Sequence, residues 1–295
     1  MAREHFFRDR FVPVTTILVA MVVFWYGFAI LMNAPVQRDM DQRRGEMPGF
    51  VEFIGKTLSQ AKPIVPAPHQ VAANVFENTF LRKVTSNRSL VYHGWVTLSS
   101  TLLGFLMGTV LGILIAVGIV HVKVLDRSLM PWIIASQTVP ILAVAPMVIV
   151  VLAAINVTGI IPKAVISTYL SFFPVVVGMV TGLRSPEAMH LDLMRTYHAS
   201  VSETFWKLRV PASVPFLFTS MKVAVAASLV GAIVGELPTG AVAGIGSKLL
   251  AGSYYSQTID MWAALVAGSV LAGLLVTAVG ILGRLVERGM GRRPA

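Results

Sequence analysis

Long stretches of this chain carry no Asp, Glu, Lys or Arg, and those stretches decide what it can fold into. They run between Arg10 and Arg38, Arg88 and Lys123, Arg127 and Lys163, Lys163 and Arg184, and Asp260 and Arg284. Each is long enough to cross a bilayer as a helix, which takes about 20 apolar residues. A further interval, Pro215 to Pro238, carries only Lys222 near one end and Glu236 near the other, and its centre is apolar. With 55% apolar residues, 13% charged residues and a mean hydropathy of +0.74, the chain lies outside the range of soluble globular domains. The expectation is an all-α integral membrane protein with six transmembrane helices. A transmembrane β-barrel is excluded, because barrels show weak alternating segments rather than continuous apolar runs.

Composition removes several function classes. Without cysteine there is neither a disulfide nor a thiolate metal site. The six histidines (His5, His69, His93, His121, His190, His198) show no ligand spacing, so no metal is expected. The net charge of +10 reads as cationic loops facing the cytoplasm and lipid headgroups, not as a nucleic-acid surface. With the N-terminus inside, the inner segments hold Arg3, Arg8, Arg10, Lys123, Arg127, Arg184, Arg195, Lys207, Arg209, Arg284, Arg288, Arg292 and Arg293. The two short outer loops hold only Lys163 and Lys248. The first outer loop is long, mixes both signs and weighs little in this rule, so both termini are expected to be cytoplasmic.

The expected order is a cytoplasmic N-terminus (1–10), a first transmembrane helix (11–33), and an outer loop (34–91) with a short amphipathic helix near Val71 to Phe80. The first run is too long for a signal-peptide core and reads as an uncleaved anchor. A five-helix core follows (92–287), then a cytoplasmic tail (288–295). Within the core, Gly104, Gly108 and Gly112 let the second span approach a neighbour closely. The third span, about Met130 to Ala154, is bent by Pro140 and Pro146. Just before Pro140 lies Ser136-Gln137-Thr138, which either hydrogen-bonds between helices or lines a solute path. The fourth span covers about Ala164 to Leu183 and the last about Met261 to Val286. The fifth, about Phe216 to Leu237, contains Ser228 and ends in Glu236 followed by Gly240, Gly244 and Gly246. Ser136, Gln137, Thr138, Pro140, Ser228 and Glu236 are the translocation-path candidates. An ionisable residue at a span is costly and commonly functional, although near the interface Glu236 reads equally as a solvated or capping carboxylate.

No catalytic residues emerge. No phosphate loop of the form G-x-x-x-x-G-K-[ST] is present, nor a carboxylate pair, nucleophile motif or H-E-x-x-H, and no cofactor is expected on this chain.

The stretch Asp192 to Pro215 interrupts the apolar runs with a polar, basic sequence. Leu193, Met194, Tyr197, Val201, Phe205 and Leu208 recur on a helical period among charges. An inner loop needs no amphipathic face unless something docks there. This stretch resembles the cytoplasmic loop of binding-protein-dependent ABC importer permeases, E-A-A-x-x-x-G followed by I-x-L-P. Asp192 stands at the acid, Leu193 and Met194 at the alanines, His198 at the glycine, and Leu208, Val210 and Pro211 at I, L and P. Ala199, Ser200, Phe205, Pro211, Ala212 and Pro215 match the loop of the nitrate, sulfonate and taurine type.

The resemblance implies a type I importer permease fold in a bacterial inner membrane, with a coupling segment at 185–214. It implies cytoplasmic ATPase subunits, a periplasmic solute-binding protein and a second, commonly identical, permease copy as partners. Asp192, Arg195, Tyr197, His198, Ser200, Glu203, Phe205, Trp206, Lys207 and Pro211 would form the ATPase contact, with Tyr197, Phe205 and Trp206 as buried anchors. Histidine at the turn departs from the family's glycine, since a left-handed backbone suits glycine best. The solute implied is nitrate, a sulfonate, or a heteroaromatic such as a pyrimidine or vitamin precursor. The competing readings are a secondary transporter or channel acting without an ATPase, and a membrane enzyme.

Overall fold

The structure is a computed structural model that describes residues 12–238 and 243–291; among these it is all-α. The N-terminal segment 1–10, Gly240 and the last residues of the tail lie outside the described residues. In chain order the helices are α1 (Val12–Arg44), α2 (Phe50–Leu58), α3 (Pro68–Phe76), α4 (Leu90–His121), α5 (Lys123–Ser136), α6 (Ile141–Ala154), α7 (Ile160–Leu183), α8 (Ala188–Thr196), α9 (Val201–Thr204), α10 (Val210–Glu236), α11 (Ile245–Tyr254) and α12 (Thr258–Gly289). Five helices are long and apolar enough to cross a membrane: α1, α4, α7, α12, and α10 with the helical lead-in from Val201. The pair α5 and α6, bent by 100°, makes a sixth if it counts as one span. The chain divides into two compact units, Met1–Val91 with Lys248–Val266, and Tyr92–Ser247 with Ala267–Ala295.

In the first unit α1 outruns the apolar stretch, which ends near Asn33, and stays helical to Arg44. The cause is a buried polar face: Asn33, Gln37 and Asp41 recur at four-residue spacing. The Asn33 amide donates to the Val65 carbonyl at 2.8 Å, and its oxygen accepts from the backbone N–H groups of Ile64 (2.8 Å) and Val65 (3.1 Å). Gln60 donates to Gln37 at 3.0 Å. What reads as outer loop is therefore tied down by helix side chains. The amphipathic helix begins earlier than its hydrophobic pattern, at Pro68, whose missing N–H costs nothing in a first turn. It continues through a π turn to Leu81.

The second unit is built around α4, α7 and α10. A Cβ added to Gly104, Gly108 or Gly112 of α4 would fall 2.3, 2.1 or 2.8 Å from side-chain atoms of Ser167, Ser171 or Val175 on α7. These glycines set how closely the two helices approach, as small-residue stripes do in membranes. Against α10, Gly178 of α7 meets Ser220, and Ser167 meets Gly231 as well as Gly104. Near one end the apolar core is Ala145, Ile166 and Val234. A second cluster comprises Ile119, Ile133, Met179 and Leu183, among others.

The third expected span differs most. In place of one bent helix, α5 ends at Ser136 and α6 starts after Pro140, which caps it. Proline lacks the N–H needed by the preceding turn and disfavours helical backbone in the residue before it, so the helix breaks there. Pro146 lies inside α6 without breaking it. Lys163 also moves: it is a nearly buried residue in the first turn of α7, not a charge on an outer loop.

Candidate functional site

The interruption between α7 and α10 folds as two short helices joined by a tight turn. α8 closes with a Schellman arrangement: the Ala199 N–H bonds the Met194 carbonyl at 3.0 Å, and the His198 N–H bonds that of Arg195 at 2.9 Å. His198 takes the left-handed backbone at φ 52°, the conformation for which the family pattern has glycine. Ser200 then caps α9 through a reciprocal box. Its hydroxyl accepts from the Glu203 N–H at 3.1 Å, and its own N–H donates to the Glu203 carboxylate at 3.0 Å. Lys207 pairs with Glu203 at 2.9 Å and Arg195 with Asp192 at 2.8 Å, both in the open. The polar groups thus find partners within a few residues.

The apolar side chains of this segment do the opposite. Tyr197 is 77% exposed and Trp206 66%, and Met189, Leu193 and Val201 are exposed beside them. Phe205 departs from the expected set of outward anchors. It is half-buried, its ring meets His121 edge-on at 4.9 Å, and it packs on the cluster that contains Leu183 and Ile119. Arg209 donates to the Leu183 carbonyl at 3.1 Å. Phe205 and Arg209 thus fasten the segment to the ends of α4 and α7. The turn Phe205–Arg209 is π-helical and leads into α10, where Pro211 lies in the first turn.

The translocation-path candidates fall into two groups. Ser136, Gln137, Thr138 and Pro140 form the break between α5 and α6. There the Ser136 and Thr138 hydroxyls donate back to Ile133 (2.7 Å) and Ala135 (2.8 Å), and Tyr169 donates to the Ser136 carbonyl. Gln137 and Thr138 are exposed. Ser228 and Glu236 are instead fully buried between helices. The Ser228 hydroxyl donates to the Thr101 carbonyl at 2.8 Å. In this conformation both residues hold helices together, so the reading of Glu236 as a solvated carboxylate is corrected.

Glu236 sits at the centre of a cluster that the sequence did not assemble. The Thr97 hydroxyl donates to its carboxylate at 2.9 Å and accepts the Ile245 N–H at 2.9 Å. The Gly246 N–H donates to the same carboxylate at 2.8 Å, and the Gly244 N–H donates to His93 Nδ1 at 2.9 Å. Lys163 Nζ lies 3.9 Å from the Glu236 carboxylate. The backbone of Gly244 to Gly246 thus lies against a buried acid. Gly244 has φ +132°, and a Cβ there would sit 2.2 Å from the carboxylate carbon, so only glycine fits. Lys163 stands out in the sequence as the one charge between Arg127 and Arg184, but that isolation does not point to Glu236. Thr97 and His93 carry no such mark.

Among the described residues the fold is that of a polytopic all-α membrane protein with an exposed apolar face on one inter-helix segment. Residues 108–292 match the family of binding-protein-dependent transport system inner membrane components, and the chain belongs to that family, the ABC importer permeases. It is 30% identical over 202 residues to a probable ABC transporter permease protein of Haemophilus influenzae, covering 68% of this chain and 77% of that one. It is 29% identical over 174 residues to a formylaminopyrimidine transport permease protein of Halalkalibacterium halodurans, covering 59% and 65%. To a riboflavin transport system permease protein of Chloroflexus aurantiacus it is 26% identical over 225 residues, covering 76% and 80%. The chain is accordingly a multi-pass inner-membrane protein of a transport system.

Proposed function

We propose that this chain is the membrane-spanning subunit through which a small solute is imported at the expense of ATP hydrolysed by a separate cytoplasmic subunit. The observation that carries the reading is the segment Ala188–Lys207, whose charged side chains pair within the segment while Tyr197, Trp206 and their apolar neighbours stay exposed. In a groove of the ATPase these aromatics would supply most of the contact energy. Closure of the ATPase dimer would move the segment as a lever, and Phe205 and Arg209 would pass that movement to α4 and α7. A periplasmic solute-binding protein delivers the solute, a second copy of this chain completes the pore, and both termini lie in the cytoplasm. Relatives named for formylaminopyrimidine and riboflavin favour a heteroaromatic solute, and others named for aliphatic sulfonates and nitrate keep a small anion as the alternative.

Reconstitution tests the reading. Proteoliposomes holding this chain with its ATPase and binding protein take up solute only with ATP, and those holding the chain alone take up none. Uptake by the chain alone, driven by an ion gradient, would establish the secondary-transporter reading instead.

A further inference from the structure

A cavity of about 600 Å³ opens between α4, α6 and α7, within the usual size of small-molecule sites. It lies at the Ile160 end of α7, whereas Arg209 of the docking segment contacts the Leu183 end. The 24 residues of α7 separate the two by roughly 36 Å. Tyr92 and Val96 of α4, Ile149 of α6 and Ile160 of α7 give the cavity apolar walls, and Lys163 is its one charged lining residue among the described residues. The Ser99 and Ser100 hydroxyls on its wall donate to carbonyls of their own helix at 2.7 and 3.0 Å. Lys163 is therefore the one cationic donor among the lining side chains, beside the neutral hydroxyls of Tyr92 and Thr158. Its distance of 3.9 Å from Glu236 is longer than a close charged hydrogen bond. Glu236 in turn holds the backbone N–H of Gly246.

We propose that this cavity is a station for the transported solute, which places an anionic or acceptor-rich group on Lys163 and an apolar or flat body against Tyr92, Val96, Ile149 and Ile160. The inference rests on the permease reading and adds a solute class to it. Cationic solutes are selected against, because the one lining charge is positive. Capture of Lys163 draws it from Glu236 and so loosens the carboxylate that fixes the Gly244–Gly246 backbone, linking occupancy of the cavity to that loop.

The chain has no cysteine, so Ser99→Cys puts a single thiol on the cavity wall. In phosphatidylcholine proteoliposomes of the complete importer, its modification is timed with anionic sulfonatoethyl and cationic trimethylammonioethyl methanethiosulfonate. Each rate is referred to that reagent's rate with a free thiol. The anionic reagent reacts about threefold to tenfold faster, the effect of one nearby charge near a protein surface. Lys163→Arg keeps the preference and Lys163→Gln abolishes it. Because Lys163→Gln leaves a buried acid without its cation, Lys163→Gln/Glu236→Gln is measured alongside and also shows none. Equal rates with Lys163 present, a preference for the cation, or no labelling by either reagent would overturn the proposal. So would loss of the preference when phosphatidylglycerol is added, which would assign the cavity to a lipid headgroup. Labelling needs no ATP and no uptake, so this proposal and the importer reading fail separately.

Discussion

Two polar breaks interrupt the apolar helices of the second unit, and they are built in opposite ways. Around His198 the polar side chains bond neighbours three or four residues away, and Tyr197 and Trp206 are exposed. Around Glu236 the acid is enclosed, and its partners come from positions as distant as Thr97 and Lys163. The first break leaves its apolar face exposed. The second is already buried, and its partners come from α4, α7 and the first turn of α11. A charged residue beside a membrane span does not by itself say which kind it belongs to. The separation in sequence of its hydrogen-bond partners does.

Substitutions at the two breaks sharpen the contrast. Glu236→Ala has the largest effect, removing one member of a buried charge pair and lowering stability by about 3 to 5 kcal/mol. Thermal unfolding in detergent reads this, and Glu236→Ala/Lys163→Met recovers part of the loss. A single mutant that unfolds like the wild type would show that the acid is solvated after all. Next comes Gly246→Ala, whose Cβ would lie 2.3 Å from the Ile233 carbonyl oxygen. Overpacking of this kind costs about 1 to 3 kcal/mol in the same assay. At the exposed break the effects are smaller and local. Ser200→Ala removes the α9 cap, worth about 1 kcal/mol, and raises amide exchange over residues 201–204 by about fivefold without shifting global unfolding. Of similar size but opposite sign, His198→Gly relieves the left-handed backbone by about 1 kcal/mol and slows exchange at the same turn. Faster exchange in that variant would mean that the imidazole itself holds the turn.

The legible parts of the molecule were those that local chemistry decides. Charge-free runs located the long apolar helices, the glycine stripe located the α4–α7 contact, and the period of Leu193, Tyr197 and Val201 located an exposed apolar face. Three features escaped for physical reasons. Helix α1 continues past Asn33 because its polar face is paid for by partners some thirty residues away. Phe205 sits on the apolar period of the docking segment, yet the π turn and the ring of His121 turn it toward the bundle. Lys163 looked like a loop charge, since nothing near it in sequence announces the acid that it meets in α10.

The claim that the exposed aromatics of the docking segment bind the ATPase is tested most directly by comparing two neighbours. Trp206→Ala and Phe205→Ala are each purified with tagged ATPase from the assembled importer, and thermal unfolding is measured on the same samples. The account predicts that Trp206→Ala weakens ATPase association by about thirtyfold or more, the scale of an interface anchor, and leaves unfolding unchanged. Phe205→Ala lowers stability first. Full ATPase recovery with Trp206→Ala would contradict the account.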